Sequence, residues 1–75
     1  MRGCTIELND DEALVLFEFL ARVTEHERPA LFADPAEEHV LWMLEGQLEK
    51  KLVVLLSPDY ARNLHEARRR VSGAG

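Results

Sequence analysis

From Ala13 to Val23 only Glu18 and Arg22 interrupt a run of apolar side chains, and a helix built from that run cannot hide it against one neighbour. At roughly 100° per residue, a surface helix of a monomer shows an apolar stripe little more than 100° wide. Ala13, Leu14, Leu16, Phe17, Phe19, Leu20, Ala21 and Val23 instead cover about two thirds of the circumference. Glu18, Arg22 and Glu25 are left on a narrow wet strip that also holds Val15. The chain has 75 residues with which to cover that helix, and a chain so short buries only about 60% of the surface it exposes when unfolded. Its core is therefore marginal, and a staple, a metal or a second subunit is to be sought. A disulfide is excluded because Cys4 is the only cysteine, which also fits a reducing cytosol. Disorder is not expected, because 47% of the residues are hydrophobic, too many for a segment that cannot build a core.

Local signals divide the chain into an arm and three helices. Cys4, Ile6 and Leu8 alternate with Thr5 and Glu7, which predicts a short strand or extended arm over residues 1–9. Asn9 followed by Glu12 forms a capping-box pattern, so a first helix is expected over about 10–27, ended by Pro29. Asp34 as N-cap, Pro35 at the first helical position and Glu37 completing a second box start another helix. It is expected to run over 35–55, with a buried strand over Leu52 to Leu56 as the alternative to a helix end there. Ser57-Pro58 repeats the cap-then-proline signal and predicts a third helix over 58–71, with Arg68, Arg69 and Arg70 at the negative end of its dipole. No repeat or linker divides the chain, so residues 1–75 read as one all-α, three-helix domain with an N-terminal arm.

The second helix also has two apolar sides. Leu41, Leu44, Leu48, Leu52 and Leu55 line one, and Trp42 and Val53 lie roughly a third of a turn away. Gly46, one turn after Trp42, costs about 1 kcal/mol against alanine in a helix interior. It marks close approach of another helix, or room for the indole, or is a tolerated glycine. Three short helices supply few inner surfaces, so a second copy of the chain is the simplest cover. The expectation is a homodimer with the first and second helices in its interface. Leu14, Phe17, Phe19, Leu20, Leu41, Trp42, Leu44 and Leu48 are the expected core or interface residues.

The chain offers little to a catalyst. His26, His39 and His65 have acidic neighbours, but none has a carboxylate three residues before it or a histidine four after it, the spacing that lets one helix present two ligands to one ion. Cys4 has no evident base or helix dipole beside it, and Ser57 and Ser72 are accounted for by capping and chain ending. The four glycines form no phosphate loop. Asp10-Asp11-Glu12 and Glu37-Glu38 sit in first turns, where acids stabilise helices without doing chemistry. No enzyme activity, metal or cofactor is expected.

Charge is unevenly distributed. Residues 7–49 carry 12 acidic and two basic side chains, whereas residues 50–70 carry six basic and two acidic. Arg62, Arg68, Arg69 and Arg70 are the candidate nucleic-acid contacts. Three consecutive helical arginines fan over about 200°, however, and no aromatic lies among them to stack on bases. The longest apolar runs span five residues, against the roughly 20 needed to cross a bilayer. The N-terminal residues show no apolar signal region or lipid-anchor motif.

The segment Asp10-Asp11-Glu12-Ala13-Leu14-Val15-Leu16-Phe17-Glu18-Phe19-Leu20, with Asp34-Pro35-Ala36-Glu37 and Leu48-Glu49-Lys50, resembles small bacterial helical proteins of no assigned activity. The likeness covers about half the chain and consists of caps and core pattern, so it implies a bacterial, cytoplasmic origin and transfers no site residue. The function expected is a small, non-catalytic protein-interaction module, partnered by itself or another protein. The alternative is an antitoxin-like regulator that contacts nucleic acid or a partner protein through the basic C-terminal helix.

Overall fold

A computed structural model describes residues 3–25, 31–52 and 57–73. Three helices, α1 (Asp10–Glu25), α2 (Pro35–Lys51) and α3 (Tyr60–Ser72), make an all-α fold, and no strand occurs among the described residues. Residues 3–9 precede α1 without a regular element, and all are exposed.

The start of α1 follows from its own side chains. The Asn9 amide donates to Glu12 Oε1 at 2.9 Å and the Glu12 amide donates to Asn9 Oδ1 at 2.8 Å, so two amides that the helix cannot satisfy are satisfied reciprocally. Asp34 caps α2 in a different way from the expected box. Its Oδ1 accepts from the Ala36 amide at 2.8 Å, but Glu37 reaches past the cap and accepts from the Ala33 amide at 2.9 Å.

Two helix boundaries correct the sequence reading. The second helix was expected to reach residue 55, yet α2 ends at Lys51 and Leu52 turns to φ −96°, ψ 91°. Its amide makes a last helical bond to the Leu48 carbonyl at 3.0 Å while its side chain is buried with Phe17 and Leu20. Lys50 and Lys51 in the last turn favour the negative helix end. Residues 53–56, and residues 26–27 of the first predicted helix, lie outside the described ones. The third helix starts at Tyr60, not residue 58. Ser57 caps a turn there: its Oγ accepts from the Asp59 amide at 3.1 Å and its carbonyl from the Tyr60 amide at 3.2 Å. Asp59 becomes the N-cap residue.

At its far end α3 stops against Gly73, whose amide bonds the Arg69 carbonyl at 2.7 Å. A Cβ at Gly73 would lie 2.8 Å from that same oxygen, so close backbone approach explains the glycine.

The order is up-down-down with α1 in the middle, both outer helices running antiparallel to it. Phe17 and Leu20 of α1 pack on Leu48 and Leu52, with Leu41 and Leu44 beside them. On another side Leu14 packs on Leu64 and Ala67 of α3, with Val15 and Tyr60 beside them. Both pairings are extensive, whereas α2 and α3 scarcely meet. Polar bridges set the antiparallel registers. The Thr24 hydroxyl lies 2.6 Å from Glu45 Oε1, the Tyr60 hydroxyl donates to Glu18 Oε2 at 2.8 Å, and Arg70 reaches Asp11.

Because Leu20 is 1% exposed and faces α2, Leu20→Ala is expected to lower unfolding free energy by about 2–5 kcal/mol, transfer and cavity terms together. Native stability at this length is on the order of 4–11 kcal/mol. Urea denaturation followed by far-ultraviolet circular dichroism measures the loss; Leu31→Ala, at an exposed position, should stay within about 0.5 kcal/mol of the parent.

Candidate functional site

The eight apolar residues singled out by spacing separate into three groups. Leu14, Phe17, Leu20 and Leu48 are buried in the protomer, and Leu41 and Leu44 lie half-buried against the same core. Phe19 and Trp42 are exposed by 46% and 55%. They mark two different apolar faces.

The first face is a shallow groove of about 380 Å³ on α1 and α3. Val15, Leu16, Phe19 and Val71 form its floor, and Glu12, Arg22 and Arg68 its rim. The Arg22 guanidinium already stands over the Phe19 ring, 5.7 Å from its centroid, a cation–π contact that covers part of the exposed aromatic. A small-molecule site would enclose its ligand and present several converging polar groups; this groove is open.

The second face is the side of α2 turned away from α1. Trp42 stands there with His39, Met43, Gly46, Glu49 and Lys50, all exposed. A Cβ built on Gly46 meets nothing within 4 Å. Among the described residues of one protomer, then, Gly46 neither admits another helix nor makes room for the Trp42 indole.

The four arginines of α3 do not share one track. Arg62 and Arg69 fall on one side of the helix, with Arg68 and Arg70 about 100° to either side. Arg70 binds Asp11 through both carboxylate oxygens, Nε to Oδ2 at 2.7 Å and Nη2 to Oδ1 at 2.9 Å. Arg62 pairs with Asp59 at 3.2 Å. The Asp11–Arg70 bridge was not legible in the sequence, because its members lie 59 residues apart and meet only through the antiparallel packing of α1 and α3.

The same packing shifts two ionisations. The hydrogen bond from Arg70 holds the Asp11 carboxyl below its ordinary value; desolvation opposes it and the Arg70 charge adds to it. Burial, then the hydrogen bond and charge of Glu18, push the Tyr60 phenol up to about 12.

Among the described residues no three His, Cys, Asp or Glu side chains are grouped to hold a metal ion. His39 and His65 are exposed, as is Cys4, and His26 lies outside the described residues. Among the described residues no helix is long and apolar enough to cross a membrane. In comparisons with known proteins, no family model, curated protein or solved structure matches the chain.

Two pH effects follow. Asp11 has a depressed folded pKa, so its contribution is present above the ordinary value of 3.8 and is lost as pH falls through the folded value. Arg70→Gln should therefore lower Tm at neutral pH, with the gap to the parent closing under more acidic conditions in thermal scans. Tyr60 has a raised pKa, so its contribution is complete below 10 and disappears as pH climbs from 10 to about 12. Phenolate absorbance of this single tyrosine should show a midpoint near the upper figure while the chain is folded, and Tyr60→Phe should lessen the alkaline fall in stability.

Proposed function

We propose that this chain is a small helical protein-interaction module that acts as a homodimer, without catalysis and without a cofactor, in the reducing cytoplasm of a bacterium. The observation that carries the reading is surface area. One protomer exposes 6201 Å², whereas a compact monomer of its mass, 8.6 kDa, exposes about 4,700 Å². The radius of gyration, 13.7 Å, likewise exceeds the roughly 11 Å of a compact domain of this length.

Part of the excess is the solvent-wrapped arm. Large apolar side chains on the helices also stand in water: Phe19, Val40, Trp42, Met43 and Val71 are all exposed. A stable interface takes about 800 Å² from each partner, so the excess is ample for one. A second copy is always present at the concentration of the first, and a two-fold interface needs only one self-complementary patch. Cys4, the single cysteine, is what supports the compartment.

The rival reading, an antitoxin-like regulator meeting nucleic acid or a partner protein through Arg62, Arg68, Arg69 and Arg70, draws less support. Two of those four charges are already paired with carboxylates, and counterion release rewards only cations that reach phosphate.

Sedimentation equilibrium decides between them. The chain should show the mass of a dimer at micromolar concentration and little dependence on duplex DNA at low salt. A folded monomer throughout that range overturns the proposal, and strong salt-dependent DNA binding transfers support to the regulator.

A further inference from the structure

Pro35, His39, Trp42, Gly46 and Glu49 follow one another on α2 at alternating steps of four and three residues, and all five are exposed. Steps of that kind keep side chains on one face of a helix and form the seam of paired helices. The core side of α2 is occupied separately by Leu41, Leu44 and Leu48. The seam therefore has no partner among the described residues of the protomer.

We propose that this seam is the dimer contact, two copies of α2 packed antiparallel about a two-fold axis at the level of Leu44, with each Trp42 seated on the partner's Gly46. The proposal rests on the self-association reading above and specifies where and how the copies meet. Residues opposite one another in such a pair have numbers adding to a constant. One register places Trp42 opposite the partner's Gly46, and the two-fold repeats that contact at Gly46. The largest side chain of the chain then lies over the smallest, twice, where an alanine or leucine would push the indole outward.

The same register satisfies charge. His39 falls opposite the partner's Glu49, and acidic Glu38 comes level with the partner's Lys50, so the acidic first turn of each α2 lies beside the basic last turn of the other. Antiparallel helix dipoles also oppose one another favourably. This arrangement gives Gly46 a function: its helix cost is about 1 kcal/mol against alanine, and among the described residues nothing beyond its own helix backbone lies within 4 Å of where a Cβ would go.

The α1–α3 groove is the weaker candidate for the second copy. Its Phe19 is partly covered by Arg22. Its rim carries Arg22 and Arg68 against the single acid Glu12, so two apposed copies would bring like charges together.

The test uses the full chain and its single tryptophan. Emission of Trp42 should shift to the blue as concentration rises through the dimerisation range. Gly46→Leu projects into open space in the protomer, so helicity by circular dichroism should equal or exceed that of the parent. The same variant should raise the dimer dissociation constant about 30-fold or more, as the loss of a central hot-spot contact does, and its emission should stay red. Orientation is read by mixing His39→Cys and Glu49→Cys chains, both in a Cys4→Ser background, under mild oxidation. Antiparallel pairing yields the mixed disulfide; His39→Cys chains cross-linking to one another overturn the orientation. If Gly46→Leu dimerises like the parent with the same emission, the seam is overturned while self-association through another face stands. If the parent stays monomeric, or if Trp42 emission shifts only on adding a different protein, both fall.

Discussion

Among the described residues the core clusters are both built on one helix. α2 and α3 each lean on α1 and scarcely on each other, so the apolar circumference of α1 is what makes a fold from three short segments. Phe17 and Leu20 serve one neighbour while Leu14 serves the other. A helix with an ordinary single stripe could hold only one of them. The arrangement has a cost in surface: each outer helix keeps only one covered side, and area that a rounder bundle would bury stays in water.

That cost falls most heavily on α2. Its inner side joins the larger core cluster, and its outer side presents Trp42 and Met43 at more than half their full exposure. Because α3 does not wrap around to cover them, Trp42 and Met43 stay on an external surface. The contrast with α3 is informative. Its outer side is arginine-rich and water satisfies it, and it has tied Arg70 to α1 and Arg62 to its own cap.

Polar side chains determine which way the outer helices run. Thr24 with Glu45 sets the register of α2 on α1, and Tyr60 with Glu18 and Arg70 with Asp11 set that of α3. Apolar packing alone is tolerant of sliding, because leucines one turn apart present similar shapes. A bidentate guanidinium–carboxylate pair is not tolerant, since two parallel bonds must close together. Solvent screens an exposed pair of this kind, so its value here is geometric.

The helices themselves were largely legible from short-range chemistry. Asn9 and Glu12 exchange bonds within one turn, and Asp34 caps the amide two residues on; such contacts depend on nothing distant. Reading failed where neighbours compete. Ser57 and Asp59 both qualify as caps, and α3 chose the second once Pro58 was placed in a turn. Leu52 could prolong α2 on pattern alone, and it leaves the helix as it is buried beside Phe17. The candidate surface was half legible. Spacing showed that α1 and α2 carry more apolar side chains than one stripe, but it could not say that Leu48 goes inside while Trp42 stays out. Periodicity records angles about a helix axis, and it is the docking of a second helix that turns an angle into an inside or an outside.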